Sequence, residues 1–191
     1  MVDKTKINQK NVEAGRDFIV NTGTLSINGS ERLLKKSQIY ECLKFFENDL
    51  HESTMDISVP PAKLNKKLSF NHAGKYINLF KDCYLDIDLV SQVLANDFSS
   101  SGEIIVSDLK NMFFQVVPNE NYRDDGTVII NNGDVLLDRL RERILERIKN
   151  DPRYRSDKLS IEVVDKFVYA FIGYGVNECQ VLLNPNKSKE R

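Results

Sequence analysis

The apolar positions of this chain follow two rhythms. Near the start they alternate. Phe18 and Val20, then Leu25 and Ile27, stand at strand spacing on either side of Thr22-Gly23. Further on they recur every three or four residues, the spacing of a helix that buries one face. The first rhythm predicts a two-stranded ribbon over 11–27, "NVEAGRDFIVNTGTLSI". Gly23 supplies the positive φ of a tight turn, and Ala14-Gly15 allows a bend or a bulge. An isolated hairpin is marginal in water. This one must therefore lie on the helical body or pair with a strand of another chain. Phe18, Ile19, Val20, Leu25 and Ile27 would carry either contact.

The second rhythm begins after Gly29-Ser30. Ser30 is a candidate cap, and Ile39, Leu43, Phe46 and Leu50 predict a helix over about 31–50. Pro60-Pro61 breaks it. Leu64, Leu68, Tyr76, Ile77 and Phe80 predict a second helix over about 62–80. Asp86 or Asp88 opens a third through "LVSQVLANDF", and "SSSGE" reads as a loop. Ser107-Asp108 is expected to cap a short helix, "LKNMFFQVV", that stops before Pro118. "PNENYRDDGT" reads as a polar surface loop, the expected place for disorder or insertion, with "TVII" as a short strand. From Asp134 runs an amphipathic helix with Leu137, Leu140, Ile144 and Ile148 on one face. Ser160 caps the last helix, expected to run to about 183 and to end at Asn184-Pro185. It is apolar on almost every side, which predicts that the other helices pack around it. The expected fold is thus mainly α: one helical domain over 29–185 behind a leader and β-ribbon at 1–28, with a solvated tail at 186–191.

Composition narrows the class without naming a function. With 41% hydrophobic and 29% charged residues in 191, the chain is long enough to bury a core without staples. Its net charge of −1 lacks the basic excess usual for a dedicated nucleic-acid binder. Cys42, Cys83 and Cys179 form no CxxC pair and sit in apolar patterns, so they read as buried free thiols of a reducing cytoplasm. No secretory signal opens the chain. The longest apolar run, "FVYAFIGYGV", is half the ~20 residues that a bilayer requires. No membrane contact is expected.

Chemistry-bearing motifs are sparse. His51 and His72 lie far apart, without ligands at metal spacing, and no Walker or dinucleotide loop occurs. Asp124-Asp125 reads as a turn. Asp86 and Asp88, the nearest thing to nuclease carboxylates, read as helix-start residues. Neither a cofactor nor catalysis is expected. Two modest basic clusters remain, Lys63, Lys66 and Lys67 in "KLNKK" and Arg139 with Arg143 on the amphipathic helix. The arginines alternate with Glu142 and Glu146, so a solvated, salt-bridged face is the plainer reading. Glu178, after ten apolar residues, needs a partner or an edge, and a lysine of "KLNKK" is a candidate. Gly173 and Gly175 weaken their helix unless something packs closely there, within the chain or across an oligomer seam.

Three stretches together carry a resemblance. "INQKNVEAGRDFIVNTG" resembles the leader that precedes C-terminal domains of bacterial ABC three-component conflict systems. "PPAKLNKKLSFN" is similar to a lysine–leucine–asparagine segment of those domains. "VDKFVYAFIGYGVNECQVLLNP" resembles their final helix, an apolar run reaching an acidic residue, a cysteine and a proline. The order agrees, but Arg16 stands where a second glycine is usual, and no effector domain precedes the leader. The resemblance implies an adaptor, a regulatory subunit or a piece of a longer effector, which links to an SMC/Rad50-like ATPase or senses an invading trigger; the ribbon, if it pairs with another copy, implies a homo-oligomer. No catalytic residue carries over. The alternatives are a nucleic-acid binder using Lys63, Lys66, Lys67, Arg139 and Arg143, and a hydrolase or nuclease without an assembled site.

Overall fold

The computed structural model describes residues 33–47, 63–178 and 180–186. They form seven α-helices: α1 (Lys36–Leu43), α2 (Leu64–Phe70), α3 (Lys75–Asp82), α4 (Tyr84–Asp97), α5 (Gly102–Val116), α6 (Gly133–Asn150) and α7 (Ile161–Asn177). Among the described residues there is no strand, and the fold is mainly α as expected. The ribbon at 11–27 and its apolar residues lie outside the described residues, as does Cys179.

Helix α7 is the axis of the packing. Val164, Phe167, Val168, Phe171, Ile172 and Val176 are buried, and α7 meets each of the other six helices. Its two inner glycines are explained by side chains. A Cβ on Gly173 would stand 2.5 Å from Ile87 Cδ1, and one on Gly175 would stand 2.6 Å from Leu109 Cδ2. Intrachain packing accounts for both.

Several boundaries differ from the sequence expectation. Helix α1 starts at Lys36, because the backbone N–H of Leu34 is drawn away to Asp86 Oδ1, 2.8 Å distant. The Gln38 side chain accepts from Lys35 N and caps the helix in place of Ser30. The helix expected over 62–80 is two helices. Ala73 N bonds back to Leu68 O and His72 N to Ser69 O, which closes α2 with His72 at φ 53°. That left-handed position ordinarily favours glycine. Helix α4 begins at Tyr84, with Asp86 buried in its first turn. Helix α5 starts at Gly102, well before Ser107, and swallows part of the expected loop. Helix α6 is capped by Asn132, whose side chain accepts from Val135 N at 3.2 Å.

The C-terminal correction matters most. Ser160 caps α7 as expected, its hydroxyl accepting from Val163 N at 3.4 Å, but the helix stops at Asn177. The chain turns back instead of running on to 183. Val181 sits against Gly175, and Leu182 is left-handed at φ 66°. Glu178 is exposed at this edge, beside the amide of Asn177 at 3.1 Å.

The segment 118–131 is tied down rather than loose. Ile129 N donates to Asn121 O at 2.7 Å, and Tyr122 bridges Val128 across a turn carrying Gly126 at φ 77°. "TVII" supplies that single bridge and no strand.

Two substitutions separate packing from backbone strain. Gly173→Ala drives a methyl into Ile87 and should cost about 1–3 kcal/mol. His72→Gly, at an exposed left-handed position, should raise stability by up to about 1 kcal/mol. Chemical denaturation of the two variants should give shifts of opposite sign.

Candidate interaction surface

The three lysines of "KLNKK" have two fates. Lys63 and Lys66 are exposed on or beside α2, whereas Lys67 is fully buried. An ammonium out of water needs oxygens around it. Lys67 Nζ donates to the Val176 carbonyl and, at 3.0 Å, to that of Asn177. These are carbonyls of the last turn of α7, where the helix dipole is negative and a cation is favoured. Lys67 is therefore a cap on the central helix, and its place in a nucleic-acid contact is withdrawn. The expected lysine–Glu178 pair becomes a lysine–backbone contact at the same helix end.

One turn further along, Asn71 is buried as well. Its amide nitrogen donates to Lys67 O at 2.8 Å and Leu183 O at 2.9 Å, and its oxygen accepts from Leu183 N at 3.0 Å. Its carbonyl accepts from Gly133 N at 2.8 Å. A Cβ on Gly133 would stand 2.4 Å from that same carbonyl, so α6 can start there only with glycine.

Helix α6 divides its charges by face. Arg141 forms an ion pair with Asp165 and lies 5.1 Å over the Tyr169 ring, while Arg147 pairs with Asp108 at 2.8 Å and stacks on Phe46. Arg139 and Arg143 are exposed and form no ion pair among the described residues. The expected salt-bridged outer face is solvated, and its salt bridges sit on the flanks instead. Arg143 and Glu146 edge an open cleft of about 520 Å³ between α5 and α6, with Asp108, Met112 and Gln115 opposite.

The flank facing α3 holds the densest polar group on this surface. Asp134 accepts from Lys75 N at 3.1 Å, capping α3 from outside because Gly74 has no side chain to do so. One turn on, Asp138 takes Lys75 Nζ at 2.6 Å and the Tyr76 hydroxyl at 2.8 Å. Partial burial alone would raise the Asp138 carboxyl. The hydrogen bonds from Lys75 and Tyr76 outweigh it and hold the carboxyl below the ordinary range. Burial and the Asp138 contact both push the Tyr76 phenol up, so it stays a donor. This is a seam between α3, α6 and α7, held by hydrogen bonds and an ion pair.

Asp86 and Asp88, the carboxylates weighed for nuclease chemistry, do not converge. Asp86 is buried against Lys166 at 3.3 Å, and exposed Asp88 accepts from Gln92 at 2.7 Å. No group of three metal-ligating side chains occurs among the described residues, and no helix there is long and apolar enough to cross a membrane. The sequence offered one missed signal, the "KLSFN" spacing. A lysine and an asparagine at i and i+4 on a short helix share a face, and here that face closes on α7. No family model, curated protein or solved structure matches this chain.

Lys67→Met should cost about 1–3 kcal/mol, since it leaves helix-end carbonyls without their donor, whereas Lys66→Met should stay within about 0.5 kcal/mol. Denaturant titration of both variants checks this. A second test uses acid. Asp138 is depressed when folded, so what it contributes is present above the unfolded value near ~4 and is lost as pH falls through the folded one. Asp138→Asn should therefore flatten the loss of stability between pH 6 and pH 3. With Lys75 51% and Asp138 42% exposed, the difference should be below about 1 kcal/mol.

Proposed function

We propose that this chain is a non-enzymatic protein–protein interaction module of a bacterial conflict system. It would serve as adaptor or sensor for an SMC/Rad50-like ATPase in the cytoplasm, with its N-terminal ribbon mediating docking or self-association. The single observation that favours this reading is where two of the resembling stretches lie. "PPAKLNKKLSFN" and the final-helix stretch are far apart in sequence, yet Lys67 and Asn71 join them through the Val176, Asn177 and Leu183 backbone. The residues behind the resemblance are thus accounted for as parts of the frame, which suits a module whose family role is contact rather than chemistry. Phe18, Ile19, Val20, Leu25 and Ile27 are the contact residues of the proposal.

The second reading, nucleic-acid binding, keeps Lys63, Lys66, Arg139 and Arg143 and loses Lys67. It is favoured by one observation, that both arginines are exposed and form no ion pair among the described residues. Such binding would fall steeply with salt and weaken when Arg139 and Arg143 become glutamate.

A tagged pull-down from the native host, with and without nuclease, separates the two. The adaptor reading expects an SMC-like ATPase that survives nuclease, and a change of oligomeric mass or lost partner capture when residues 1–28 are deleted. Unchanged mass and unchanged capture after that deletion would remove the ribbon's role. A catch of nucleic acid lost on nuclease treatment would install the second reading.

A further inference from the structure

Three cations meet in one cleft. It has a volume of about 290 Å³ and lies between α1 and the turn that joins α6 to α7. Arg153, Arg155 and Lys158 line it from the turn, and Ser37, Gln38 and Glu41 line it from α1. Three positive charges against one negative leave a local excess of +2, in a chain whose net charge is −1. The carboxylates that hold the two arginines, Asp151 and Asp157, are not part of the lining.

The turn is held by its own backbone. Tyr154 N donates to Asp151 O at 2.9 Å, and Lys158 N and Leu159 N both donate to Arg155 O at 3.0 Å. The Tyr154 hydroxyl donates to Leu159 O at 3.2 Å. Arg153 is clamped in place: its Nε donates to Asp151 at 2.9 Å, one terminal nitrogen donates to Asp151 at 2.7 Å, and the other donates to Lys44 O at 3.1 Å. Its guanidinium lies 5.5 Å from the Phe45 ring centre. The other two cations are less committed. Arg155 pairs with Asp157 at 3.1 Å with both side chains 63% exposed, a weak pair that yields to a better acceptor. Lys158 is exposed and forms no ion pair among the described residues. Across the cleft, Gln38 Oε1 is taken by Lys35 N, so its amide nitrogen is left as a donor beside the Ser37 hydroxyl.

We propose that this cleft binds the phosphate group of a small phosphate monoester or the free phosphate ion. Such a group carries close to two negative charges and several acceptor oxygens. It matches the excess of +2 and a donor set drawn from both sides. Arg155 and Lys158 are its charged contacts, Ser37 and Gln38 its neutral donors, and Arg153 a fixed positive wall. Glu41 in the lining opposes a long polyanion laid across the cleft, so the ligand is small. The site does not rest on the interaction-module reading, because it is tested on the isolated chain.

The test is titration of the full chain with inorganic phosphate and with adenosine monophosphate, followed by amide chemical shifts. Saturable shifts confined to residues 37–41 and 153–159 are expected. Arg155→Gln and Lys158→Gln should each weaken binding about tenfold, the loss of one charge-assisted hydrogen bond, whereas Lys81→Gln, a surface cation on α3, should leave it unchanged. Tighter binding of the nucleotide than of phosphate would identify a monoester with an organic part as the ligand, and equal binding the free ion. No saturable shift by either probe up to about 20 mM, or equal weakening in Lys81→Gln, would overturn the site. A single-stranded oligonucleotide that shifts the same amides at lower concentration than both probes would overturn the small ligand in favour of a nucleic-acid backbone.

Discussion

A lysine ammonium removed from water must find oxygens, and in this molecule it finds them at the end of the central helix. That requirement organises the C-terminal half. Because Lys67 occupies the Val176 and Asn177 carbonyls, α7 ends there. Because α7 ends there, the following residues turn back over Gly175 instead of extending the helix. Because they turn back, Leu183 comes within reach of Asn71, which follows the last residue of the short helix that carries Lys67. A seven-residue helix, too short to be stable alone, so fixes the course of the chain more than a hundred residues later.

The second organising contact works at the other end of α6. Asn71 and Gly133 set its start, and Asp134 and Asp138 then present two successive carboxylates to α3. Helix α3 opens with Gly74, which offers no capping side chain, and it borrows one from across the seam. Polar groups here perform the positioning that a hydrophobic core cannot, since apolar packing sets distance but leaves rotation loosely defined. Two arginines of the same helix, Arg141 and Arg147, are engaged by Asp165 and Asp108 with aromatic faces beneath them.

What was legible in the sequence followed from periodicity. Ile39, Leu43 and Phe46, the α6 stripe from Leu137 to Ile148, and the all-round apolar α7 were buried as their spacing required. The Ser160 cap was legible because its donor is three residues away. Some failures were of local caps, such as Asn132 for α6, and others depended on residues distant in sequence. Nothing near Ser30 tells that Leu34 N is claimed by Asp86, and nothing near Phe70 tells that α2 must close. Lys67 illustrates the limit for the candidate surface. Three lysines in five residues look alike as charge, and only the packed structure separates the one that caps a helix from the two at the surface. The exposed Arg139 and Arg143 were legible, because their position opposite the apolar stripe decides their exposure.

The two described cysteines add a consequence of burial. Burial foremost pushes the Cys42 and Cys83 thiols up to about 12, with Glu41 adding to the first and Asp86 to the second. At neutral pH almost none of either is thiolate, the form that reacts. Cys42 is on the buried face of α1 and Cys83 at the joint between α3 and α4, so each becomes reactive only when the core around it opens. Alkylation of either thiol would therefore report an opening of the one core that holds both.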